Sequence, residues 1–141
     1  MSTVIRPELS RRNKYYISKH RYYELKHFCL QYDEMKNQRK ELEGYLKSKS
    51  IIKLDEKNPD NSPVEKLAEA HLYLDQRIKL IEHIALLTDS VIGSYVFKAV
   101  TKGYSFNYMK MRMDIPCEKD MYYDRYRKFF WLLSRYLQRL L

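Results

Sequence analysis

Four histidines, two cysteines and eighteen Asp or Glu would have to supply any metal, nucleophilic or acid–base chemistry in this 141-residue chain. His20 and His27 stand about two turns apart on one expected helix, and His71 and His83 about three turns apart on another. No pair has the i, i+4 spacing that turns two imidazoles toward one zinc ion. His71 falls at an inward heptad position, which suits a partly buried histidine in a helix–helix contact. Cys29 and Cys117 are remote from each other and in no metal-binding spacing, so two reduced thiols are expected. Cys117 lies near the expected start of the last helix, where a helix N-terminus could lower a thiol pKa, yet its place in a turn favours a structural role. Glu24, Asp33, Glu34, Glu41 and Glu43 are interleaved with Lys and Arg along one helix, the pattern of a solvated charged face. A metal-dependent nuclease needs a tight acidic cluster, a phosphate loop needs glycines, and a covalent hydrolase needs a nucleophile motif. The sequence offers none of these and reads as a non-enzyme with no metal and no cofactor.

The chemistry that remains is that of charge and aromatic rings. Lys and Arg number 27 against 18 Asp and Glu, a net charge of +9. A balance this basic favours a polyanion, either nucleic acid or an anionic membrane surface. Between Lys98 and Arg139 there are ten Lys or Arg and four Asp or Glu, so the last third of the chain holds most of the excess. Fourteen tyrosines include the doublets Tyr15-Tyr16, Tyr22-Tyr23 and Tyr122-Tyr123. Such rings can stack on unpaired bases; amphipathic packing at the edge of thin helical cores accounts for them more simply. No apolar run approaches the ~18 residues that span a bilayer, and the N-terminus lacks the apolar stretch of a signal peptide. No membrane association and a cytoplasmic location are expected.

Positioning these residues falls to helices. Three glycines and four prolines are too few to punctuate an all-β chain. Residues 1–17, with Arg6, Arg11, Arg12 and Lys14 against Glu8, read as a basic N-terminal arm. Ser18 can cap a helix over 18–48, about 46 Å long at 1.5 Å per residue. Leu25, Tyr32, Arg39 and Leu46 recur every seven residues, with Phe28, Met35 and Leu42 at an offset of three. This is a heptad stripe with one polar member, Arg39. Ser48 to Asn61, with Asn58-Pro59-Asp60-Asn61, reads as a connector. Ser62-Pro63-Val64-Glu65 is a capping box with proline at the first helical position. From it a second heptad stretch, Val64, His71, Ile78 and Ala85 with Leu67, Leu74 and Ile81, reaches about Leu87. Two such rods satisfy each other as an antiparallel coiled-coil hairpin over 18–88, or by pairing between chains in a homodimer.

Thr88-Asp89-Ser90 supplies caps for a third helix with Ile92, Tyr95, Val96 and Ala99 inward, and Gly103 ends it. Beyond Gly103 the helices shorten. Ser105 can cap a short helix with Met109 and Met113 on one face, Asp114 marks a tight turn, and Ile115-Pro116 leads into a last helix starting near Cys117 or Glu118. Tyr122, Tyr126, Phe129, Leu133, Tyr136 and Leu140 form its expected buried face, widened by Phe130 and Leu137. A short helix, a turn and a longer helix in residues 89–141 make a helix-turn-helix, in which the first helix braces on phosphates and the second enters the major groove. The candidate contacts are Lys110 and Arg112 on the short helix, and, on the side of the long one expected opposite the Tyr122, Tyr126 and Phe129 stripe, Lys119, Tyr123, Arg127 and Lys128, with Asp120 and Asp124 nearby. Arg and Lys can read guanine edges or bind phosphate; Tyr can donate to phosphate or pack on a thymine methyl.

The spacing Gly103, Tyr104-Ser105-Phe106, Met109-Lys110, Met113-Asp114-Ile115 resembles region four of bacterial sigma factors. Lys110 stands where that pattern has a small residue, Asp114 stands where it has the turn glycine, and Ile115 to Met121 is one residue longer. A helical N-terminal part followed by this unit resembles the ArpU/RinA-type late-gene regulators of phages of low-GC Gram-positive bacteria. The resemblance implies a sequence-specific transcriptional regulator that binds double-stranded DNA and touches host RNA polymerase. Two other functions fit the same elements. One is a small-terminase-like DNA-packaging protein, although those place the DNA-binding unit first. The other is a protein-interaction module or inhibitor whose basic helix meets an acidic host complex.

Overall fold

Ser18 is extended (φ −66°, ψ 156°) and its Oγ accepts the N–H of Arg21 at 3.3 Å, so α1 begins at Lys19. The computed structural model describes residues 11–52 and 63–140, with side chains at 11–48 and 63–137. All regular structure in these residues is helical: α1 (Lys19–Leu30), α2 (Tyr32–Ile52), α3 (Pro63–Thr88), α4 (Gly93–Lys102), α5 (Phe106–Arg112) and α6 (Lys119–Leu140). Most of the basic arm, the connector and the Ser62 cap lie outside the described residues. No helix among the described residues is long and apolar enough to cross a membrane.

The single helix expected over 18–48 is broken at Gln31. Its backbone (φ −85°, ψ 2°) tightens, and its N–H reaches Phe28 O at 3.2 Å instead of the carbonyl four residues back. That carbonyl, on His27, is taken over by the Gln31 side-chain amide at 3.1 Å. A polar side chain thus replaces a backbone bond, and the helix ends without glycine or proline.

The contacts divide the chain into two compact units, residues 1–31 with 80–141 and residues 32–79. This is not the expected division at 88, because α1 packs with the C-terminal helices. Tyr22, Leu25 and Cys29 are buried. The Tyr22 hydroxyl meets that of Tyr126 at 3.3 Å, and its ring packs edge-on against Phe130 at 5.2 Å. Arg21 donates from Nε to Ser134 Oγ at 3.0 Å and from Nη2 to Ser134 O at 3.1 Å. The end of the basic arm also packs here, with Tyr15 against Trp131 at 5.5 Å. Around these contacts Ile81, Ile84, Ile92, Val96, Met109, Ile115, Phe129 and Leu133 are almost fully buried, each contributing about 1.5–3 kcal/mol of apolar transfer.

Two local devices aim α4. Asp89 Oδ1 accepts the N–H groups of Val91 at 2.7 Å and Ile92 at 2.8 Å. Gly93 lets α4 approach α3 so closely that a Cβ there would lie 2.5 Å from Ala85 O. Gly103 closes α4 in the left-handed region (φ 77°, ψ 21°), its N–H bonded to Ala99 O at 2.9 Å.

In the unit of residues 32–79, Arg39 Nη1 donates to Asp75 Oδ1 at 2.6 Å, and Lys79 Nζ lies 2.9 Å from Asp75 Oδ2. His71 Nε2 lies 3.0 Å from Glu43 Oε1. The two cross-pairings step four residues forward along α2 and four back along α3, the antiparallel sense. Arg39, the polar member of the heptad stripe, therefore has an acid opposite it. The hydrogen bond from Lys79, with Arg39 adding to it against a burial penalty, holds the Asp75 carboxyl below its usual range. His71 does the same for Glu43. Arg77 is buried by lying over the Tyr73 ring at 3.3 Å.

Candidate nucleic-acid interface

Ser105 is extended and accepts the N–H of Tyr108 at 3.1 Å, which starts α5 at Phe106. The inward residue Met109 is fully buried. Its carbonyl receives two N–H groups, from Met113 at 3.0 Å and Ile115 at 3.2 Å. Between those two donors sits Asp114 with φ 50°, the one non-glycine in the left-handed region among the described residues. Ile115, 1% exposed, plugs the turn into the core. Lys110 Nζ crosses the connector to Cys117 O at 3.3 Å and Glu118 Oε1 at 3.5 Å. The connector between the helices, residues 113–118, leads to α6 at Lys119. Phe106 and Tyr122 hold the starts of the two helices together, ring to ring at 5.2 Å.

On α6, Tyr122, Phe129, Phe130, Leu133 and Leu137 are buried, and Tyr126 is half-buried. Tyr136 is not part of this face: it is 36% exposed, and Leu137 takes the inward place. At 100° per residue, Tyr123 and Arg127 come one step round from Tyr122 and Tyr126. They therefore sit on the flank of the buried stripe rather than opposite it, and both are half-buried. The Tyr123 hydroxyl and Arg127 Nε are each buried without a hydrogen-bond partner. Lys119, Asp120 and Arg112 are exposed, and Lys128 and Asp124 are half-buried. Lys110 is exposed as a residue, yet its ammonium is committed to the connector.

Arg125 plays a part that has no signature in sequence spacing. Its Nε donates to Asp89 Oδ2 at 2.7 Å and its Nη1 to Asp124, tying α6 to the turn that precedes α4. Burial opposes ionisation of Asp89, but the N–H of Ile92, the Arg125 guanidinium and the N–H of Val91 outweigh it and hold the carboxyl below its usual range. Cys117 is buried, and burial pushes its thiol up while the Lys110 ammonium pulls the other way. Cys29, fully buried, is pushed up by desolvation alone. Neither thiol is an activated nucleophile. Among the described residues no group of three or more His, Cys, Asp or Glu is placed to hold a metal ion.

The arrangement presents exposed basic side chains on α5 and at the start of α6, over a connector fixed by backbone and lysine hydrogen bonds. Chemically it can bind anions and donate hydrogen bonds. No family model, curated protein or solved structure matches the chain.

Proposed function

We propose that the chain is a sequence-specific DNA-binding transcriptional regulator of the phage type, with α5, the 113–118 connector and α6 acting as a helix-turn-helix. The observation that carries this reading is the braced connector. A buried Ile115, the left-handed Asp114 and two N–H groups on Met109 O set one helix against the next, with exposed Arg112 and Lys119 on either side of it. Arg112 serves as a phosphate contact and Lys119, at the first position of α6, as a groove or phosphate contact, with Lys128 farther along. Tyr123 and Arg127 approach DNA from the flank, and Lys110 acts by holding the connector. The α2–α3 stretch is assigned to a helical hairpin that packs or pairs copies of the chain, which leaves it free to touch RNA polymerase.

The test is selection of bound fragments from the source genome, followed by titration of one selected duplex at several salt concentrations. Lys119→Ala should weaken specific binding, and Arg112→Ala should lower the salt slope by about 1 across all sequences. No duplex binding at low salt would remove the reading. It would turn attention to Met111, Tyr108 and Met121, which are 81%, 44% and 40% exposed near the same connector and suit a protein partner.

A further inference from the structure

α1 runs antiparallel along α6. Arg21 reaches Ser134, Tyr22 meets Phe130 and Tyr126, and Lys26 stands beside Tyr123 and Tyr126. These contacts step back along α6 as they step forward along α1. The α6 row that α1 covers is Tyr122, Tyr126, Phe130 and Ser134. Its neighbour, at the same four-residue steps, is Tyr123, Arg127, Trp131 and Arg135. The end of the basic arm is clamped to this second row. Tyr15 packs against Trp131 at 5.5 Å, the Lys14 ammonium lies over the Tyr15 ring at 4.9 Å, and the Arg135 guanidinium lies over Trp131 at 4.7 Å.

Charge says what this seam meets. Residues 11–23 and 125–141 contain five Lys or Arg each and no Asp or Glu, so the surface they build carries one sign. The acids nearest in sequence are engaged, Glu24 by Arg21 and Asp124 by Arg125. Lys14, Lys26 and Arg135 have no ion pair among the described residues. From the level of Tyr123 to that of Arg135 is about 18 Å at 1.5 Å per residue. One strand of a duplex presents about five phosphates in that rise.

Exposure says how it is met. Lys14 and Arg135 are exposed, while Tyr15 and Trp131 are half-buried. The cations rather than the ring faces are offered, which suits phosphates and not stacked bases. No large apolar side chain is exposed between residues 11 and 29 or between 122 and 135 apart from Leu- and Met-free tyrosine edges, so the face lacks the apolar anchor of a membrane-binding surface. The ring contacts hold Lys14 and Arg135 in place before binding, and a fixed line of cations fits the regular phosphates of a duplex better than a pliable single strand.

We propose that the α1–α6 seam is a second, sequence-independent binding face for the sugar-phosphate backbone of duplex DNA, carried by Lys14, Lys26 and Arg135 and kept in shape by the Tyr15–Trp131 contact. It rests on the reading of duplex DNA as the partner, but not on the assignment of Lys119 to the groove.

The test is the salt dependence of binding of the full chain to a mixed-sequence duplex of about 25 base pairs, read by fluorescence anisotropy between about 50 and 200 mM salt. Each cation lost should flatten the plot of log K against log salt by about 0.9. Lys14→Gln, Lys26→Gln and Arg135→Gln combined should flatten it by about 2.7. Arg135→Lys keeps the charge and should keep the parental slope. Tyr15→Ala keeps every charge but frees Lys14, and should flatten the slope by about 0.9. As a control, Lys36→Gln, Lys40→Gln and Lys66→Gln combined remove three exposed charges from the unit of residues 32–79 and should stay within about 0.5 of the parental slope. Equal flattening by the two triple variants overturns the proposal, as does tighter binding of a single strand of the same length or of phosphatidylserine vesicles. A parental slope in the seam variant, while selected fragments still depend on Lys119, removes the seam alone. A flattened slope with no fragment selected and an inert Lys119→Ala removes the groove assignment and supports the seam. No duplex binding at low salt removes both.

Discussion

Asp114 offers a perturbation whose size can be worked from the backbone alone. Its φ of 50° lies where L side chains crowd the following carbonyl. Its side chain is exposed and makes no hydrogen bond or ion pair among the described residues. Substitution there changes the conformational cost and little else. Asp and Asn tolerate the left-handed region because a short polar side chain fits it, whereas a β-branched residue carries a cost of about 1–2 kcal/mol. Glycine removes that cost but gains freedom in the unfolded chain worth about 0.4–1 kcal/mol, so the two changes nearly cancel. Asp114→Val should therefore destabilise by about 1–2 kcal/mol, or about 4 °C in melting temperature per kcal/mol. Asp114→Gly and Asp114→Asn should stay within about 0.5 kcal/mol of the parent. Urea unfolding followed by Trp131 fluorescence reads this directly, since Trp131 packs between Tyr15 and the Arg135 guanidinium in the same unit. Agreement of that transition with far-ultraviolet circular dichroism licenses the two-state treatment. If Asp114→Val is as stable as the parent, the turn does not hold a left-handed residue and the account of the connector fails.

Two further predictions concern the packing of α4. Gly93→Ala places a Cβ 2.5 Å from the Ala85 carbonyl oxygen, a backbone atom that cannot swing aside. The overpacking cost of about 1–3 kcal/mol should exceed the roughly 1 kcal/mol gained in helix propensity. Gly44→Ala, which meets nothing within 4 Å in α2, should be neutral or stabilising, so urea midpoints that move the same way for both would refute the clash. Asp89 should give an acid-sensitive contribution. Its carboxyl is held below the usual range, so the stabilisation is complete above about pH 4 and is lost as pH falls through the folded-state value. The stability gap between the parent and Asp89→Asn, about 1 kcal/mol at neutral pH because Asn still accepts the two N–H groups and loses only the charge pairing, should close as pH falls through the folded-state value. A gap that widens in acid would reverse the assignment.

Local chemistry was legible where one residue decides the outcome. Ser18 and Ser105 cap α1 and α5, Pro63 is the first residue of α3, and Gly103 closes α4. The all-helical class follows from the same signals. The break at Gln31 was not legible, because a side-chain amide does there what glycine or proline does elsewhere. Once the helix breaks, heptad spacing no longer says which residues share a core. Leu25 and Leu42 read as one stripe, yet Leu25 is buried in one unit and Leu42 belongs to the other. The same limit applied to the candidate site. Composition locates the basic C-terminal third, but it does not say that Tyr123 and Arg127 lie on the flank of the buried stripe rather than opposite it. The long-range pairings Arg125 with Asp89 and Tyr22 with Tyr126 have no signature in sequence spacing.

The features of the connector make sense together rather than singly. A glycine in the turn would have adopted the left-handed conformation without cost, and a small residue beside Met109 would have left the turn unobstructed. This chain has Asp114 and Lys110 in those places. The connector leaves a carbonyl at Cys117 with the start of α6 still ahead of it, and Lys110 reaches it at 3.3 Å. Only a long donor side chain spans from α5 to that carbonyl; a small one would not. The same bond draws the connector back toward α5, where Met113 and Ile115 share Met109 O and fix Asp114 between them. The left-handed conformation at Asp114, which a short polar side chain tolerates, is thus held by contacts on both sides of it, including the burial of Ile115. A lysine and a left-handed aspartate are one solution to holding α5 against α6, and Lys110 is accordingly a residue of the joint before it is a residue of the surface.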